Sequence, residues 1–313
     1  MTLNLAKTVA DYLQDNPEQK FTSRAIAEWL FRTYPDKCSQ KKERSLSINS
    51  DAELIQQLVA ELGSIGVRIQ KKNPNIKMTE GRPRKYYYTT KSDVDEVSAA
   101  ESTNDATTSI ITSGAIYENA LYPKLGEYLS SEFGLYSKRI DEKRSANKRG
   151  SGGNRWLYPD IVAMEDLSSE WNQEVKNCVQ RYADKWTRLW SFEVKLLINR
   201  SNVRECFFQA VSNSSWANLG YLVASEIEGS DTLKELRILS TLHGIGVISL
   251  DYDNPAESQV LIPARERIEV DWDTANRLAD ESKDFIRFIK SVRQFYQTGE
   301  VKSGDWDYRI ILD

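Results

Sequence analysis

At 313 residues the chain predicts two domains rather than one, and its 40% hydrophobic content is enough to pack cores in both. A net charge of −4 excludes a uniformly basic nucleic-acid coat, so polyanion binding must come from local patches. Cys38, Cys178 and Cys206 are too few and too scattered for a disulfide framework or a zinc cluster, which fits a reducing cytoplasm.

Residues 1–90 predict three helices and a hairpin. Leu5, Val9, Tyr12 and Leu13 make the first helical stripe. Thr22 or Ser23 caps a second helix carrying Ile26, Trp29, Leu30 and Phe31, and Ser50 or Asp51 opens a third with Ile55, Leu58, Val59 and Leu62. Two strands follow, Val67–Gln70 and Lys85–Thr90, joined by a loop containing Asn73-Pro74-Asn75 and Gly81-Arg82-Pro83-Arg84. This order, three helices and then a basic-tipped hairpin, resembles a winged helix-turn-helix domain. The resemblance implies that Lys71, Lys72, Lys77, Arg82, Arg84 and Lys85 neutralise DNA phosphates around the wing, with Lys41, Lys42 and Arg44 as a second cluster. A solvated loop or a protein-docking wing is the alternative.

Nine Lys and six Arg face ten acids in 1–90, whereas 91–113 sets Lys91 against five acids and has no aromatic residue. Such a composition predicts an acidic, flexible linker. From 114 to 313 helix-like and strand-like segments alternate. A helix over 115–133 leads to a strand at 135–140, a basic Gly-rich loop at 142–154 and a strand at 156–164. A polar helix over 169–184 precedes a strand at 188–198, then come helix 202–217, strand 221–225, helix 231–242, strand 244–250 and a long helix over 273–297. That alternation predicts a mixed α/β domain around a central sheet. No apolar run approaches ~20 residues, so no membrane span is expected. The N-terminus, amphipathic with an early acid, does not read as a signal peptide.

The single histidine, His243, closes the stripe Leu236, Leu239, Leu242 just before Gly244, a position suited to a helix cap. Histidine-based triads and two-histidine zinc sites are therefore excluded as good readings. The glycines of 150–153 lack a Gly-Lys-Ser/Thr ending, which excludes a phosphate-binding loop and a nucleotide cofactor.

The chemistry lies in charges placed inside apolar strands. Glu193 and Lys195 share one face of a strand otherwise built from Leu189, Trp190, Phe192, Val194 and Leu196, and Asp160 interrupts Leu157, Ile161 and Val162. Charges in such settings are costly unless they are paired or bind a ligand. If the two strands are neighbours, Asp160 and Glu193 converge as hard oxygen ligands for Mg²⁺ or Mn²⁺. Pro159-Asp160 followed by Glu193-x-Lys195 resembles the PD-(D/E)XK, restriction endonuclease-like superfamily, over roughly residues 115–260. The resemblance implies that the acids hold the metal and that Lys195 positions or deprotonates the attacking water. It also implies a further metal ligand in Glu118, on the buried stripe of the first helix, and an active-site role for Gln209. Position 213, where many members carry a cation or Tyr, is Asn here, and the span from Asp160 to Glu193 is lengthened by the polar helix.

Lys143, Arg144, Lys148, Arg149 and Arg155 then read as a clamp on the substrate backbone, or as a solvated hairpin tip. The layout is similar to that of bacterial restriction-like (HrgA-like) proteins, which implies a DNA endonuclease in defence, with a homodimer expected for double-strand cleavage. Two alternatives stay open: a non-catalytic winged-helix regulator using a nuclease-like domain for dimerisation, and a winged helix that docks a partner protein.

Overall fold

The computed structural model describes residues 4–43, 48, 50–102, 117–141, 145, 156–182 and 186–308. The chain divides into two compact units, Met1–Asp93 with Glu228–Ser230, and Val94–Ile227 with Asp231–Asp313. Among the described residues no helix is long and apolar enough to cross a membrane.

The first unit contains α1 (Leu5–Asp15), β1 (Phe21–Thr22), α2 (Ser23–Thr33), α3 (Pro35–Glu43), α4 (Asp51–Lys72), β2 (Ile76–Met78) and β3 (Lys85–Tyr88). The start of α4 is fixed by a capping box: Ser50 accepts from the Glu53 N–H while the Glu53 carboxylate accepts from the Ser50 N–H. Residues 67–70, expected as a strand, are the last turns of α4. Their period-two look is overridden because Ile69 extends the buried line Leu54, Leu58, Leu62, and the helix ends only where Asn73 precedes Pro74. The hairpin strand is instead Ile76–Met78, antiparallel to β3, with β1 on the other side of β3. α3 was not expected. It offers one buried apolar residue, Cys38, and its cues are Pro35 at its first position and Asp36 in its first turn. The segment expected as a flexible linker also begins with a helix, α5 (Asp93–Ser102).

In the second unit the elements are α6 (Glu118–Phe133), β4 (Tyr136–Arg139), β5 (Ile161–Asp166), α7 (Gln173–Tyr182), β6 (Thr187–Ile198), α8 (Val203–Asn213), β7 (Leu219–Ile227), α9 (Ser230–His243), β8 (Gly246–Ser249), β9 (Gln259–Ile262), α10 (Trp272–Glu281) and α11 (Lys283–Thr298). Six strands form one mixed sheet in the order β4-β5-β6-β7-β8-β9, parallel at β6/β7 and β7/β8 and antiparallel elsewhere. Both faces are covered. Ile161, Ala163, Trp190, Phe192 and Val194 pack with Leu121, Leu125 and Leu129 of α6, while Val162, Met164 and Leu189 pack with Phe285, Phe288 and Phe295 of α11. The long helix expected over 273–297 is two helices, because Ser282 leaves helical geometry (φ −119°, ψ 121°) and its side chain caps α11 by accepting from the Phe285 N–H. β9, unread in the sequence, is half-exposed at every position and so shows no alternation.

Candidate active site

β5 and β6 run antiparallel with Ile161 opposite Phe192, so the next pair outward sets Asp160 against Glu193. Asp160 is the residue just before β5, not a mid-strand position as its apolar neighbours suggested. It is nonetheless held as if in the ladder: its N–H donates to the Phe192 carbonyl and its carbonyl accepts from the Ile140 N–H, both at 3.0 Å. Its carboxylate Oδ2 accepts from the Val194 N–H at 2.7 Å. Three main-chain bonds thus aim this side chain at the middle of β6.

Glu193 and Lys195 are almost wholly buried, 3% and 8% exposed. Lys195 Nζ donates to Glu193 Oε1 at 2.6 Å, and Asn213 Nδ2, from the last residue of α8, donates to Glu193 Oε2 at 2.8 Å. The same Asn213 amide reaches the Tyr158 carbonyl at 2.9 Å, and so ties α8 to the segment that delivers Asp160. Glu118, in the first turn of α6, joins the group through Tyr122, whose hydroxyl donates to Glu118 Oε1 at 2.7 Å and lies 3.3 Å from Asp160 Oδ1. From β4, Arg139 donates to Asp160 Oδ1 at 3.2 Å and to the Tyr122 hydroxyl at 3.0 Å, with its guanidinium 3.8 Å from the centre of the Tyr122 ring.

The electrostatics follow from this crowding. Burial, and then the charge of Asp160, push the Glu193 carboxyl up to about 8; the same two causes, in the same order, raise Glu118. Burial works to lower Lys195, but the charges of Glu193, Asp160 and Glu118 outweigh it, so its ammonium holds its proton above the ordinary lysine range. Burial and the two flanking acids raise Tyr122, which stays a phenol and a donor. When all three carboxylates are ionised they face two fixed cations, an arrangement that favours one more positive charge.

Such a donor set, three carboxylates with phenol and amide oxygens nearby, fits a hard divalent cation. Among the described residues, however, no group of three or more His, Cys, Asp or Glu side chains is arranged as a ready metal cage. The acids are at present spoken for by Lys195, Arg139, Asn213 and the Val194 N–H.

Of the residues singled out in the sequence, Glu118, Asp160, Glu193 and Lys195 meet in one cluster. Gln209 is buried on α8 one turn before Asn213, and the bond to the acid is made by Asn213. Lys143, Arg144, Lys148, Arg149 and Arg155 lie outside the described residues, as does Arg44. In the first unit the expected basic patch is thinner than its sequence. Lys71 and Lys72 end α4 rather than lining a wing, and Lys77 is buried in β2 in an ion pair with Asp93. Arg84 pairs with Glu80, Lys41 with Glu61 and Lys42 with Asp51, while Arg82 is exposed and Lys85 half-buried at the hairpin. Tyr122, Arg139 and Asn213 were not singled out as site residues. Tyr122 was findable four residues after Glu118 on one helix face; Arg139 became visible only with the β4/β5 register, which sets it opposite Ile161. Comparison of the chain with protein-family models, with curated proteins and with solved structures finds no match.

Proposed function

We propose that the chain is a metal-dependent nuclease that hydrolyses DNA phosphodiester bonds, with the second unit as a PD-(D/E)XK-type catalytic domain. One observation carries the reading: Asp160 and Glu193 are brought opposite each other by the β5/β6 register, with Lys195 on the same face of a core strand. Buried charges of this kind are expensive to keep for stability alone, since well-packed apolar residues serve as well or better. A site for a charged ligand explains them.

In this reading Asp160 and Glu193, joined by Glu118, hold Mg²⁺ or Mn²⁺. The bound ion supplies charge stabilisation on the scissile phosphate and a water acidic enough to attack near neutral pH. Lys195, held charged by its three acids, serves as a hydrogen-bond donor to a phosphate oxygen and not as the base. Asn213 keeps Glu193 turned toward the cluster, and the Tyr122 phenol bridges Glu118 and Asp160. The first unit, with helices α1, α2 and α4 followed by the β2/β3 hairpin, is read as a winged-helix module that recruits DNA through Lys71, Lys72, Arg82 and Lys85. Restriction of foreign DNA by a homodimer is the setting the resemblance favours.

The second reading, a non-catalytic DNA-binding regulator, draws on the closed Glu193–Lys195 pair, which is a self-sufficient structural ion pair. Incubation of plasmid with the full chain and Mg²⁺, beside Asp160→Ala and Lys195→Ala, separates the two. Cleavage by the wild type alone supports the nuclease; equal DNA binding by all three with intact plasmid supports the regulator.

A further inference from the structure

Two cations of the chain face the acidic cluster, and they are held differently. Among the described residues the Lys195 ammonium hydrogen-bonds Glu193, whereas Arg139 is clamped from several sides: the Tyr122 ring and hydroxyl, Asp160 Oδ1, and the carbonyls of Ile140 and Asp160. Asp160 is also held without Arg139, by bonds to the main chain of Phe192, Ile140 and Val194, the last of them to its Oδ2. What Arg139 adds to the cluster is charge more than shape.

We propose that Arg139 is a resident counter-cation, which offsets part of the acids' charge when no metal is bound and makes metal occupancy depend on a phosphodiester. The inference rests on the nuclease reading of the same site. With its three carboxylates ionised, as metal ligation requires, the cluster with Arg139 and Lys195 carries one negative charge; a divalent ion alone turns it one charge positive, and one phosphodiester group returns it to neutral. A guanidinium bonded to one oxygen of a ligand carboxylate opposes a second cation at that carboxylate, in a partly buried setting where charges are weakly screened. The fixed clamp means that the guanidinium stays when the ion arrives, so the excess charge must be met by the substrate. Arg139 thus acts as a positioning residue for charge, and metal and DNA bind as coupled ligands.

Mn²⁺ binding, followed by loss of the free-ion electron paramagnetic resonance signal, tests this without reference to cleavage. The full chain is titrated alone, with a short phosphorothioate duplex that carries backbone charge and resists hydrolysis, and with a methylphosphonate duplex that lacks the charge. Each is measured against duplex alone and against Asp160→Asn. The wild type is expected to bind Mn²⁺ at least tenfold more tightly with the phosphorothioate duplex and to gain nothing from the methylphosphonate one. Arg139→Gln is expected to bind Mn²⁺ at least tenfold more tightly than the wild type without DNA, and Arg139→Lys to stay close to the wild type. If Arg139→Gln binds Mn²⁺ no better than the wild type while Asp160→Asn abolishes binding, the role given to Arg139 falls and the nuclease reading stands. Absence of Mn²⁺ binding in every arm overturns both. The wild-type arms need no substitution, so an unchanged Mn²⁺ affinity on adding the charged duplex overturns the proposal even where Arg139→Gln fails to fold.

Discussion

Asn213 donates one amide to two acceptors, the Glu193 carboxylate at 2.8 Å and the Tyr158 carbonyl at 2.9 Å, and so joins α8, β6 and the approach to Asp160. Its place at the C-terminal turn of α8 brings an uncharged donor to a carboxylate that is already short of solvent. A cation there would compete with Lys195, and an acid would repel Glu193. Partners of this kind orient a ligand without touching the substrate. In the nuclease reading Asn213→Ala should therefore lower kcat by roughly 10–100-fold with little change in KM, as expected for loss of a partner that orients a metal ligand. Asn213→Asp should be more damaging than Asn213→Ala, because it sets a like charge against Glu193. Steady-state cleavage of a labelled duplex by the three proteins checks the order; equal rates would show that Asn213 only packs.

The Glu193–Lys195 pair predicts a non-additive stability pattern. At a pH where Glu193 is ionised, Lys195→Met strands a buried acid, and breaking a buried pair from one side costs about 3–5 kcal/mol. Replacing both partners, Glu193→Gln with Lys195→Met, removes the uncompensated charge, so the double variant should be more stable than Lys195→Met alone. Urea denaturation of the four corners of this cycle measures the coupling. A double variant that loses the sum of the two single losses would mean that the pair does not interact in the folded protein.

How much of this was legible beforehand differs by element, for physical reasons. Misplaced charge is visible without a structure: Asp160, Glu193 and Lys195 stand out because their neighbours are apolar. Glu118 stands out likewise, on a buried helix face. Residues that complete the cluster by ordinary polar contacts carry no such mark. Arg139 sits in a short strand among Tyr136, Ser137 and Lys138, and only the pairing with β5 turns it toward Asp160. The strand expected at 67–70 failed because four residues of alternation are too short to outweigh a helical stripe that continues from Leu54. Sequence likewise gives a side chain's charge but not its partner, and Lys77, Arg84, Lys41 and Lys42 each have an acidic one.

The raised carboxyl of Glu193 gives stability a definite pH slope. Its folded value, about 8, lies above the ordinary 4.5, so the folded state binds the proton more tightly than the unfolded chain. The stability tied to this proton is fully present below pH 4.5 and is lost as pH rises through 8. Lys195, shifted upward from an already high value, contributes a constant amount across that window. In metal-free buffer the thermal midpoint should fall between about pH 5 and pH 9, and Glu193→Gln should flatten the slope while lowering the plateau. Parallel slopes for the two proteins would assign the pH dependence to other groups.

Buried and exposed lysines of the first unit should behave oppositely. Lys71 and Lys72 are exposed in the last turn of α4, so in the DNA-recruiting reading they act on phosphates. Removing both as Lys71→Ala/Lys72→Ala should weaken duplex binding at every sequence and reduce the slope of log K against log salt by about 2, near one for each phosphate no longer neutralised. Thermal stability should barely change, since neither lysine packs in the core. Lys77 is 9% exposed and paired with Asp93, so Lys77→Ala should destabilise the unit by about 1 kcal/mol, through the lost pair and the poorer packing of its stem. Its salt slope should match that of the wild type once the protein is folded. Fluorescence anisotropy at several salt concentrations, with melting curves on the same samples, tells these apart: a reduced slope for Lys77→Ala and an unaltered one for the Lys71/Lys72 variant would reverse the assignment of the basic residues.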